Sequence, residues 1–273
     1  MNNGRMMTPR KFRKTIYDFY RANGRDLSWR KTRDPYHIFI SEVMLQQTQV
    51  ESAIPKYERF IAAFPDFKAL SRAPLRKILA LWKGLGYNRR ALYLKKAAEA
   101  VMREHGGVLP RDAEKLLELP GVGRATAAAI CAYAFNEPVV FIETNIRRTF
   151  IHRFFPEQED VPDNELLPLV ARMLDRKNPR RWYNALMDYG AMLKKRYPNP
   201  NRRSRHYTKQ KPFEGSDREI RGKILEILLR KPEQSRRAIQ AALEVDKKRI
   251  ERCLAGLVQE GILRYAQRFF TIT

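Results

Sequence analysis

Residues 113–135 read AEKLLELPGVGRATAAAICAYAF, and this stretch decides the fold. Two amphipathic helical patterns, over 113–117 and 125–135, flank the turn LPGVG at 119–123. Gly121 and Gly123 let the backbone turn tightly around Val122 and expose its N–H groups at the start of a helix. Such a turn binds a phosphate through amide donors and the helix dipole. A simple connection between two helices has the same pattern, so both interpretations stay open at this point.

The charge of the chain favours phosphate binding. Its 273 residues include 54 Lys and Arg against 30 Asp and Glu, a formal net charge of +24. A basic excess strengthens contact with nucleic acid by releasing counterions. Ribosomal and membrane-surface proteins are also basic, so the charge supports a nucleic-acid partner without deciding it.

Cysteine content and hydropathy exclude several classes of protein. Cys131 and Cys253 lie far apart on helical patterns, which predicts two reduced core thiols rather than a disulfide framework or a cysteine-ligated cluster. No apolar run has transmembrane length, and residues 1–15 lack the apolar region of a signal peptide. We therefore expect a cytoplasmic protein without membrane contact. The histidines lack ligand spacing, which predicts no metal site; they are His37, His105, His152 and His206.

Helical patterns dominate residues 1–193. Apolar residues recur at helical spacing over 40–50, 54–61, 74–82 and 92–101, and the breaks carry Pro and Gly. Strand-like alternation is nearly absent. The pattern predicts an all-α domain over residues 1–193.

Residues 194–211 (KKRYPNPNRRSRHYTKQK) contain eight Lys or Arg, two prolines and no acid. Such a composition does not bury a core, so we predict an irregular basic linker over 194–215.

Residues 216–273 recover periodicity, with helical patterns over 220–229, 236–243 and 247–260. Gly261 ends the last helix, and 262–273 alternates like a β-hairpin. Three helices and a hairpin predict a winged helix-turn-helix domain. Its basic residues would be Lys247, Lys248, Arg249 and Arg252 on the recognition helix and Arg264 and Arg268 on the wing. The alternative is a domain that docks on protein, with a basic face that is only solvated.

Two carboxyl groups stand out. Glu42 lies in a helical pattern beside apolar neighbours, which raise the pKa of a carboxyl and suit it to donate a proton. Glu143 follows an apolar run and precedes another helix, where it could stay ionised and face a developing cation. Two such carboxyls are used to break glycosidic bonds through an oxocarbenium-like state. Taken alone, the residues fit two helix-surface acids equally well.

Six segments together resemble a known family. They are LSWRKTRDPYHIFISEVMLQQTQV (27–50), LWKGLGYNRRALYLKKAA (81–98), GGVLP (106–110), LPGVGRATAAAI (119–130), FIETNIRR (141–148) and ALMDYGAM (185–192). In this order they resemble the adenine DNA glycosylase (MutY) branch of the helix-hairpin-helix endonuclease III superfamily. SEVMLQQTQ is specific to that branch, whereas the hairpin is common to the superfamily.

The resemblance implies a two-part helical fold with the active cleft between the halves. Glu42 then matches the general acid that protonates the departing base, Glu143 matches the catalytic aspartate, and Asn145 matches a residue near the catalytic water. Positions that line or border the pocket for the flipped base fall on Trp29, Arg30, Ala125 and Asp188.

The resemblance also implies how DNA is held. Gln47 and Thr48 match residues that face the opposing damaged guanine, and Tyr87 matches an aromatic wedge inserted into the duplex. Gly121, Val122 and Gly123 form the phosphate-binding hairpin. Base extrusion costs roughly a few kcal/mol of stacking, which the wedge and the phosphate contacts must offset.

Ala125 indicates the reaction class. Bifunctional members of the superfamily have a lysine at this position, which forms a Schiff base and leads to strand cleavage. Alanine has no amine, so water must complete the reaction and leave an abasic site.

The chain departs from the family in three places. Glu143 replaces an aspartate; its extra methylene shifts the carboxyl, and misplacement on an ångström scale costs about 10²-fold in rate. We expect Glu143 to act with an adjusted backbone.

The family's four cluster cysteines fall on Lys194, Asn201, Ser204 and Gln210, so we expect no iron–sulfur cluster. Instead, Arg202, Arg203, Arg205 and Lys209 are expected to contact phosphates. The winged helix stands where the family has a domain that inspects oxidised guanine, and Ala125 lacks the hydroxyl of adenine-specific members.

The sequence thus predicts a monomeric, nucleoid-associated DNA glycosylase of base excision repair, without cofactor or lyase activity. Its expected substrate is duplex DNA with adenine opposite 8-oxoguanine or guanine. The alternatives are thymine or uracil opposite guanine, or a protein that binds DNA structure without catalysis.

Overall fold

A computed structural model describes residues 7–210 and 212–273. The chain divides into two compact units. Unit 1 comprises residues up to Ile38, Arg111–Leu117 and Gly123–Lys209, and unit 2 comprises Phe39–Pro110, Glu118–Val122 and Gln210–Thr273. Helix α2 (Pro35–Leu45) spans the point at residue 38 where the chain passes from one unit to the next. Within 7–210 and 212–273, no helix is both long and apolar enough to cross a membrane.

Unit 1 is helical. Its elements are α1 (Pro9–Asn23), α7 (Ala113–Leu117), α8 (Arg124–Phe135), α9 (Thr144–Phe154), α10 (Asp163–Met173) and α11 (Pro179–Arg196), with 3-10 helices at Ser28–Arg30 and Pro200–Arg203. Helix α11 packs against α1, α8 and α9. Phe12 lies edge-on to Phe150 and Trp182, at centroid distances of 5.4 and 5.8 Å. Each such fully buried side chain stabilises the core by about 1.5–3 kcal/mol. This core holds the N-terminus of α9 against α11.

The first part of unit 2 is helical as well. It contains α3 (Val50–Ala63), α4 (Phe67–Arg72), α5 (Leu75–Trp82) and α6 (Arg89–Glu104). Helix α6 packs against α4 and α5, over a core that includes Phe60 and Trp82. The predicted helical patterns over 54–61, 74–82 and 92–101 are confirmed.

The pattern over 40–50 does not form one continuous helix. Helix α2 ends at Leu45, and Gln47 has a φ of 55°. The guanidinium of Arg90 accounts for the break, because it bonds to the carbonyl oxygens of Val43, Met44 and Gln46. Those oxygens therefore do not need the N–H groups of a following helical turn.

The rest of unit 2 contains α12 (Asp217–Arg230), β1 (Gln234–Ser235), α13 (Arg236–Ala241), α14 (Lys247–Gln259), β2 (Leu263–Ala266) and β3 (Phe269–Ile272). The three helices and the hairpin predicted for this region are confirmed. The sheet has the order β1-β3-β2, and both pairs are antiparallel. Strand β1 was not predicted, since two residues are too few to show an alternating pattern.

The prediction of an irregular basic linker over 194–215 is wrong for residues 194–196 and 200–203. Helix α11 continues to Arg196, and Pro200–Arg203 form a 3-10 helix. Val161 pairs with Ser204 as a parallel bridge, since the Val161 N–H donates to Arg203 O (2.8 Å) and the Arg205 N–H to Val161 O (3.0 Å). This polar segment is held in unit 1 because its groups have hydrogen-bond partners.

Candidate functional site

Glu143 caps the N-terminus of α9. Its Oε1 accepts hydrogen bonds from the N–H groups of Asn145 (2.6 Å) and Ile146 (3.0 Å). Burial raises the pKa of this carboxyl, while the two N–H donors and the charges of Arg148 and Arg147 oppose that shift. Both capping bonds use one oxygen, and Oε2 takes part in neither. An acceptor with a second, differently placed oxygen suits the role of facing a cation.

Arg148 fixes the side chain of Asn145. The guanidinium is buried and donates to Asn145 Oδ1 (2.6 Å), to Gly190 O (2.9 Å) and to Asn199 Oδ1 (3.1 Å). Burial lowers the pKa of Arg148, and the charge of Glu143 works against that shift. Asn145 Nδ2 points to Met187 Sδ at 3.7 Å. The predicted catalytic residues Glu143 and Asn145 thus lie together at the start of one helix, and a buried cation that sequence analysis did not identify holds the side chain of Asn145.

Gly190 makes this arrangement possible. A Cβ at this position would lie 2.4 Å from Asn145 O and 2.7 Å from Asn145 Cβ. Helices α9 and α11 therefore approach more closely here than any residue with a side chain allows. An isolated glycine within the helical pattern of 185–192 was the available signal for this contact.

Asp188 anchors two arginines. Its carboxylate accepts from the Arg25 N–H (2.8 Å) and Nε (2.6 Å), and from both terminal nitrogens of Arg30 (2.8 and 2.9 Å). Burial acts to raise the pKa of Asp188, but the bonds and charges of Arg30 and Arg25 outweigh it and lower the pKa. The structure therefore brings the predicted pocket residues Arg30 and Asp188 together, beside the buried Trp29 in the same 3-10 helix as Arg30. Arg25 was missed by sequence analysis.

Glu42 lies in α2 and is half-buried, and its neighbours Val43 and Met44 are buried. The apolar neighbours expected for this carboxyl are therefore buried on its C-terminal side along the helix.

Arg90 organises the loops that follow Glu42. Besides the carbonyl oxygens at the end of α2, it donates to Thr48 Oγ1 (2.9 Å), Leu85 O (3.0 Å) and Gly86 O (3.1 Å). Burial lowers the pKa of Arg90 to about 10. One guanidinium thus fixes the turn that carries Gln47 and Thr48 relative to the turn that carries Tyr87.

A cavity of about 330 Å³ opens within unit 2. Its lining includes Gln46, Gln47, Tyr87, Tyr93, Arg218 and Glu260. The ring of Tyr87 lies between the guanidinium carbons of Arg90 and Arg218, at 5.7 and 5.4 Å from its centroid. The Tyr87 hydroxyl is bonded to Arg218 Nη1 (3.1 Å) and to Gln210 Nε2. Two residues predicted to face DNA, Gln47 and Tyr87, therefore share a cavity with a helix of the C-terminal segment.

The predicted hairpin has the expected turn. Gly121 has a φ of 83°, and a Cβ there would lie 2.8 Å from Tyr93 Cβ, so glycine is required. Val122 is buried, so its side chain does not face a ligand, and its N–H donates to Leu119 O within the turn (3.1 Å). In unit 1, Gly123 is the N-cap of α8, and Ala125 is exposed in the first turn of that helix.

The positions of the family's cluster cysteines do not fit an iron–sulfur cluster. Asn201 Nδ2 donates to Thr144 O (2.9 Å), and Ser204 Oγ accepts from the His206 N–H (3.2 Å). Lys194 and Gln210 likewise offer no thiolate. The chain's cysteines, Cys131 and Cys253, are buried free thiols in other helices, as predicted.

The predicted phosphate contacts differ in their surroundings. Arg202 is exposed, whereas Arg203 donates to Phe155 O and Arg205 pairs with Asp160 at 2.6 Å. Lys247 and Lys248 are exposed at the start of α14, as are Arg264 and Arg268 on the hairpin. Arg249 and Arg252 pair with Asp217 at 2.7 and 3.6 Å.

In the described part of the chain, no group of three or more His, Cys, Asp or Glu side chains is arranged to hold a metal ion.

Comparisons with known proteins place these features in context. Residues 40–167 match the HhH-GPD superfamily of base excision DNA repair proteins. The adenine DNA glycosylase of Mycobacterium tuberculosis is 30% identical, over 90% of this chain and 88% of that protein. The adenine DNA glycosylase of Buchnera aphidicola (strain Bp) is 35% identical over 68% of this chain and 54% of its own length. The chain thus spans about half the length of the Buchnera relative.

Solved structures show the same fold. A thermostable thymine-DNA glycosylase is 29% identical and superposes with a TM-score of 0.60, covering 67% of this chain and 86% of that one. A 3-methyladenine DNA glycosylase of H. pylori, bound to 1,N6-ethenoadenine, has a TM-score of 0.55 at 18% identity, covering 69% of this chain and 98% of that one. The second likeness concerns the fold alone.

Proposed function

Since the chain belongs to the adenine DNA glycosylase family of the HhH-GPD superfamily, we propose that it is a monofunctional DNA glycosylase of base excision repair. It hydrolyses the N-glycosidic bond of a flipped adenine opposite 8-oxoguanine or guanine and leaves an abasic site. The observation that carries the proposal is the Glu143 carboxylate at the N-terminus of α9, next to an Asn145 that Arg148 fixes in place.

The proposed mechanism uses three side chains. Glu42 protonates the base, and the C–N bond breaks with its electron pair leaving on the base. Glu143 stabilises the sugar cation through its ionised carboxylate. Asn145 helps to position the water that attacks the sugar carbon. Its amide orientation is supported by the bond from Arg148 to Oδ1.

Hydrolysis rather than strand cleavage follows from Ala125. A lyase step needs an amine that forms a Schiff base with the sugar. The exposed methyl group of Ala125 in the first turn of α8 offers none. We also propose that the protein works without an iron–sulfur cluster or another metal, because Asn201 and Ser204 are engaged in hydrogen bonds in place of cluster thiolates.

The proposed partner is double-stranded DNA, bound by a monomer in the cytoplasm at the nucleoid. The turn at Gly121–Gly123 supplies backbone amides to a phosphate. The C-terminal order α12-β1-α13-α14-β2-β3 supports a winged helix-turn-helix domain over 216–273. Lys247 and Lys248 on α14 and Arg264 and Arg268 on the hairpin are its proposed DNA contacts, together with Arg202 of the linker.

A second substrate is favoured by one specific observation. The solved thymine-DNA glycosylase is 29% identical to this chain with a TM-score of 0.60. Thymine or uracil opposite guanine is therefore the alternative target. A DNA-structure-binding protein without catalysis is the remaining alternative, since Glu143 replaces the family's aspartate.

Base release from labelled duplexes tests the proposal. The panel contains A opposite 8-oxoguanine, A opposite G, and T or U opposite G, each analysed with and without alkali beside Glu42→Gln. Release from the A mispairs, strand breaks only after alkali, and no release by the variant are expected. Release from T or U alone replaces the substrate, and tight binding without any release supports the non-catalytic alternative.

A further inference from the structure

We propose that Arg218, on the first helix of the C-terminal segment, is a specificity-determining residue that recognises the base opposite the excised one and selects a keto purine. This inference rests on the proposed glycosylase function and adds a residue to which the sequence analysis assigned no role. The keto purines concerned are guanine and 8-oxoguanine, which share an O6 acceptor.

The position of Arg218 carries the proposal. Its Nη1 donates to the Tyr87 hydroxyl (3.1 Å), and its guanidinium lies 5.4 Å from the centre of the Tyr87 ring. Both residues line the 330 Å³ cavity together with Gln46 and Gln47. Helix α12 therefore forms one wall of the cavity that the turns at 46–47 and 87 form on the other side.

The cavity fits a planar base. A volume of this size lies within the range in which proteins hold small ligands. Tyr87 and Tyr93 offer rings for stacking. The planar side-chain amides of Gln46 and Gln47 each offer a hydrogen-bond donor and an acceptor. A guanidinium pairs in bidentate fashion with the O6 and N7 edge of guanine, the commonest specific contact between proteins and bases. In 8-oxoguanine N7 carries a hydrogen, so O6 is the acceptor that this base offers to Arg218 on that edge. A base that enters the cavity would replace the Tyr87 hydroxyl as an acceptor for Arg218.

The other arginines that line the cavity are engaged by protein groups. Arg90 is committed to backbone carbonyl oxygens, and Arg221 is bonded to Glu260. The Glu260 carboxylate also lines the cavity, where its pair with Arg221 neutralises one of the four arginine charges. The guanidinium of Arg89 lies over the Tyr93 ring, at 5.7 Å from its centroid.

Arg218 is engaged as well, through Nη1 with the Tyr87 hydroxyl and through Nη2 with Pro212 O (3.2 Å). It differs from Arg89 and Arg221 in that a bond partner, the Tyr87 hydroxyl, belongs to a side chain predicted to contact DNA.

Helix α12 holds Arg218 in a fixed place. Arg76 of α5 donates to Leu228 O (2.7 Å) and to Leu229 O at the C-terminal end of α12, and Lys83 pairs with Glu226 at 2.7 Å. These bonds tie α12 to the helix that precedes the Tyr87 turn. A recognition residue fixed in this way loses little conformational entropy on binding.

The test compares Arg218→Ala and Arg218→Lys with Arg230→Ala in the full chain. Arg230 lies on the same helix with a 76% exposed side chain and serves as the control. Single-turnover release of adenine is measured opposite G, 8-oxoguanine, C and an abasic site. Binding of the same duplexes is measured in the Glu42→Gln background.

Wild type and Arg230→Ala should prefer the two keto purines. Arg218→Ala should lose about 5- to 100-fold of the preference for guanine, the range of one bidentate base contact, and a smaller part of the preference for 8-oxoguanine, which offers O6 alone. Arg218→Lys, which keeps the charge without the planar fork, should lose nearly as much of the preference for guanine.

Three outcomes overturn the proposal. The first is an unchanged preference in Arg218→Ala. The second is a uniform loss of affinity for every duplex with a salt slope reduced by about 1, which identifies a phosphate contact. The third is a full preference for guanine in Arg218→Lys. If the wild type releases no base from any duplex, the proposed function fails. The binding series then still decides on Arg218, because a preference that Arg218→Ala abolishes supports the assignment. Thermal melting of each variant excludes loss of fold as the cause.

Discussion

A Cβ on Gly190 would lie 2.4 Å from the carbonyl oxygen of Asn145, a separation that real side chains do not adopt. The proposed water-positioning residue therefore owes its place to a residue without a side chain on the neighbouring helix. The same glycine accepts a hydrogen bond from Arg148 through its carbonyl oxygen (2.9 Å). Close packing and a buried cation meet at this point of unit 1.

Gly190→Ala is expected to push α9 away from α11. Since backbone atoms of Asn145 and not a flexible side chain oppose the new methyl group, the free energy of unfolding should fall by about 1–3 kcal/mol. Base release should fall further than DNA binding, because Asn145 and Glu143 move together. Denaturant melts and single-turnover rates measure the two effects.

Gly222→Ala is the control. Gly222 lies within α12 with open space around the added methyl, so this substitution should raise the free energy of unfolding by about 0.4–1 kcal/mol. Equal effects of the two substitutions would contradict the steric argument.

Glu143→Gln is expected to abolish base release and to stabilise the protein at neutral pH. Burial raises the pKa of Glu143 in the folded state, so this group contributes stability that is fully present below its unfolded pKa of about 4.3 and is lost as pH rises through the folded value. Glutamine removes the buried charge and keeps an oxygen for the N–H groups of Asn145 and Ile146. The variant should therefore exceed wild type in stability at pH 7 and approach it near pH 4.

In wild type, base release should fall as acid protonates Glu143, since the sugar cation requires the ionised carboxylate. Denaturant melts at both pH values, beside a pH–rate profile, check this, and a variant less stable than wild type at pH 7 would argue against it.

Helices and turns of this chain were predictable from local pattern, whereas its buried cations were not. Helical periodicity predicted α5, α6 and α14 within a few residues, because one apolar face per helix is what burial requires. Arg90 and Arg148 carry the same local signal as exposed arginines. Their burial depends on carbonyl and amide oxygens brought together from distant parts of the chain, which no window of sequence contains.

The candidate site shows the same division. Glu42, Glu143 and Asn145 were found because they lie in segments that resemble a family. Asn199 was not predicted, because its segment shows only a basic composition without cysteine, and its acceptor role depends on Arg148 of α9. Gly190 stood within a quoted segment, but its meaning depended on knowing which helix packs against it.

Asp188→Asn is expected to destabilise the protein strongly. The carboxylate is 1% exposed and neutralises Arg30 at 11% exposure, so its removal leaves a buried guanidinium without a counter-charge. Loss of one partner from a buried pair costs about 3–5 kcal/mol. The folded pKa of Asp188 is lowered, so its contribution is present above the unfolded pKa of about 3.9 and is lost as pH falls through the folded value. The pair Lys31–Asp26 provides the control, because both side chains are more than half exposed and Asp26→Asn should leave stability nearly unchanged. Denaturant melts at pH 7 distinguish the two variants, and a loss as small for Asp188→Asn as for Asp26→Asn would contradict the buried pair.

Residues 194–215 stand where the family has its iron–sulfur cluster. Asn199→Ala tests whether this segment supports α9, the helix that carries Asn145. Asn199 Oδ1 accepts from Arg148 Nε, and Arg148 in turn fixes Asn145. Without Asn199 a buried guanidinium loses an acceptor, which costs about 1–3 kcal/mol, and Asn145 loses its fixed orientation. The rate of base release should therefore fall about 10-fold or more while the Kd for duplex DNA stays within about 2-fold, since Asn199 carries no charge for phosphate. Asn199→Asp keeps the acceptor and should restore the rate.

Asn178→Ala controls for the loss of an asparagine, because Asn178 is an exposed N-cap whose side chain makes no capping hydrogen bond. A parallel loss of binding and rate would instead assign the segment to DNA contact, and an unchanged rate would show that Arg148 holds Asn145 without help from the segment.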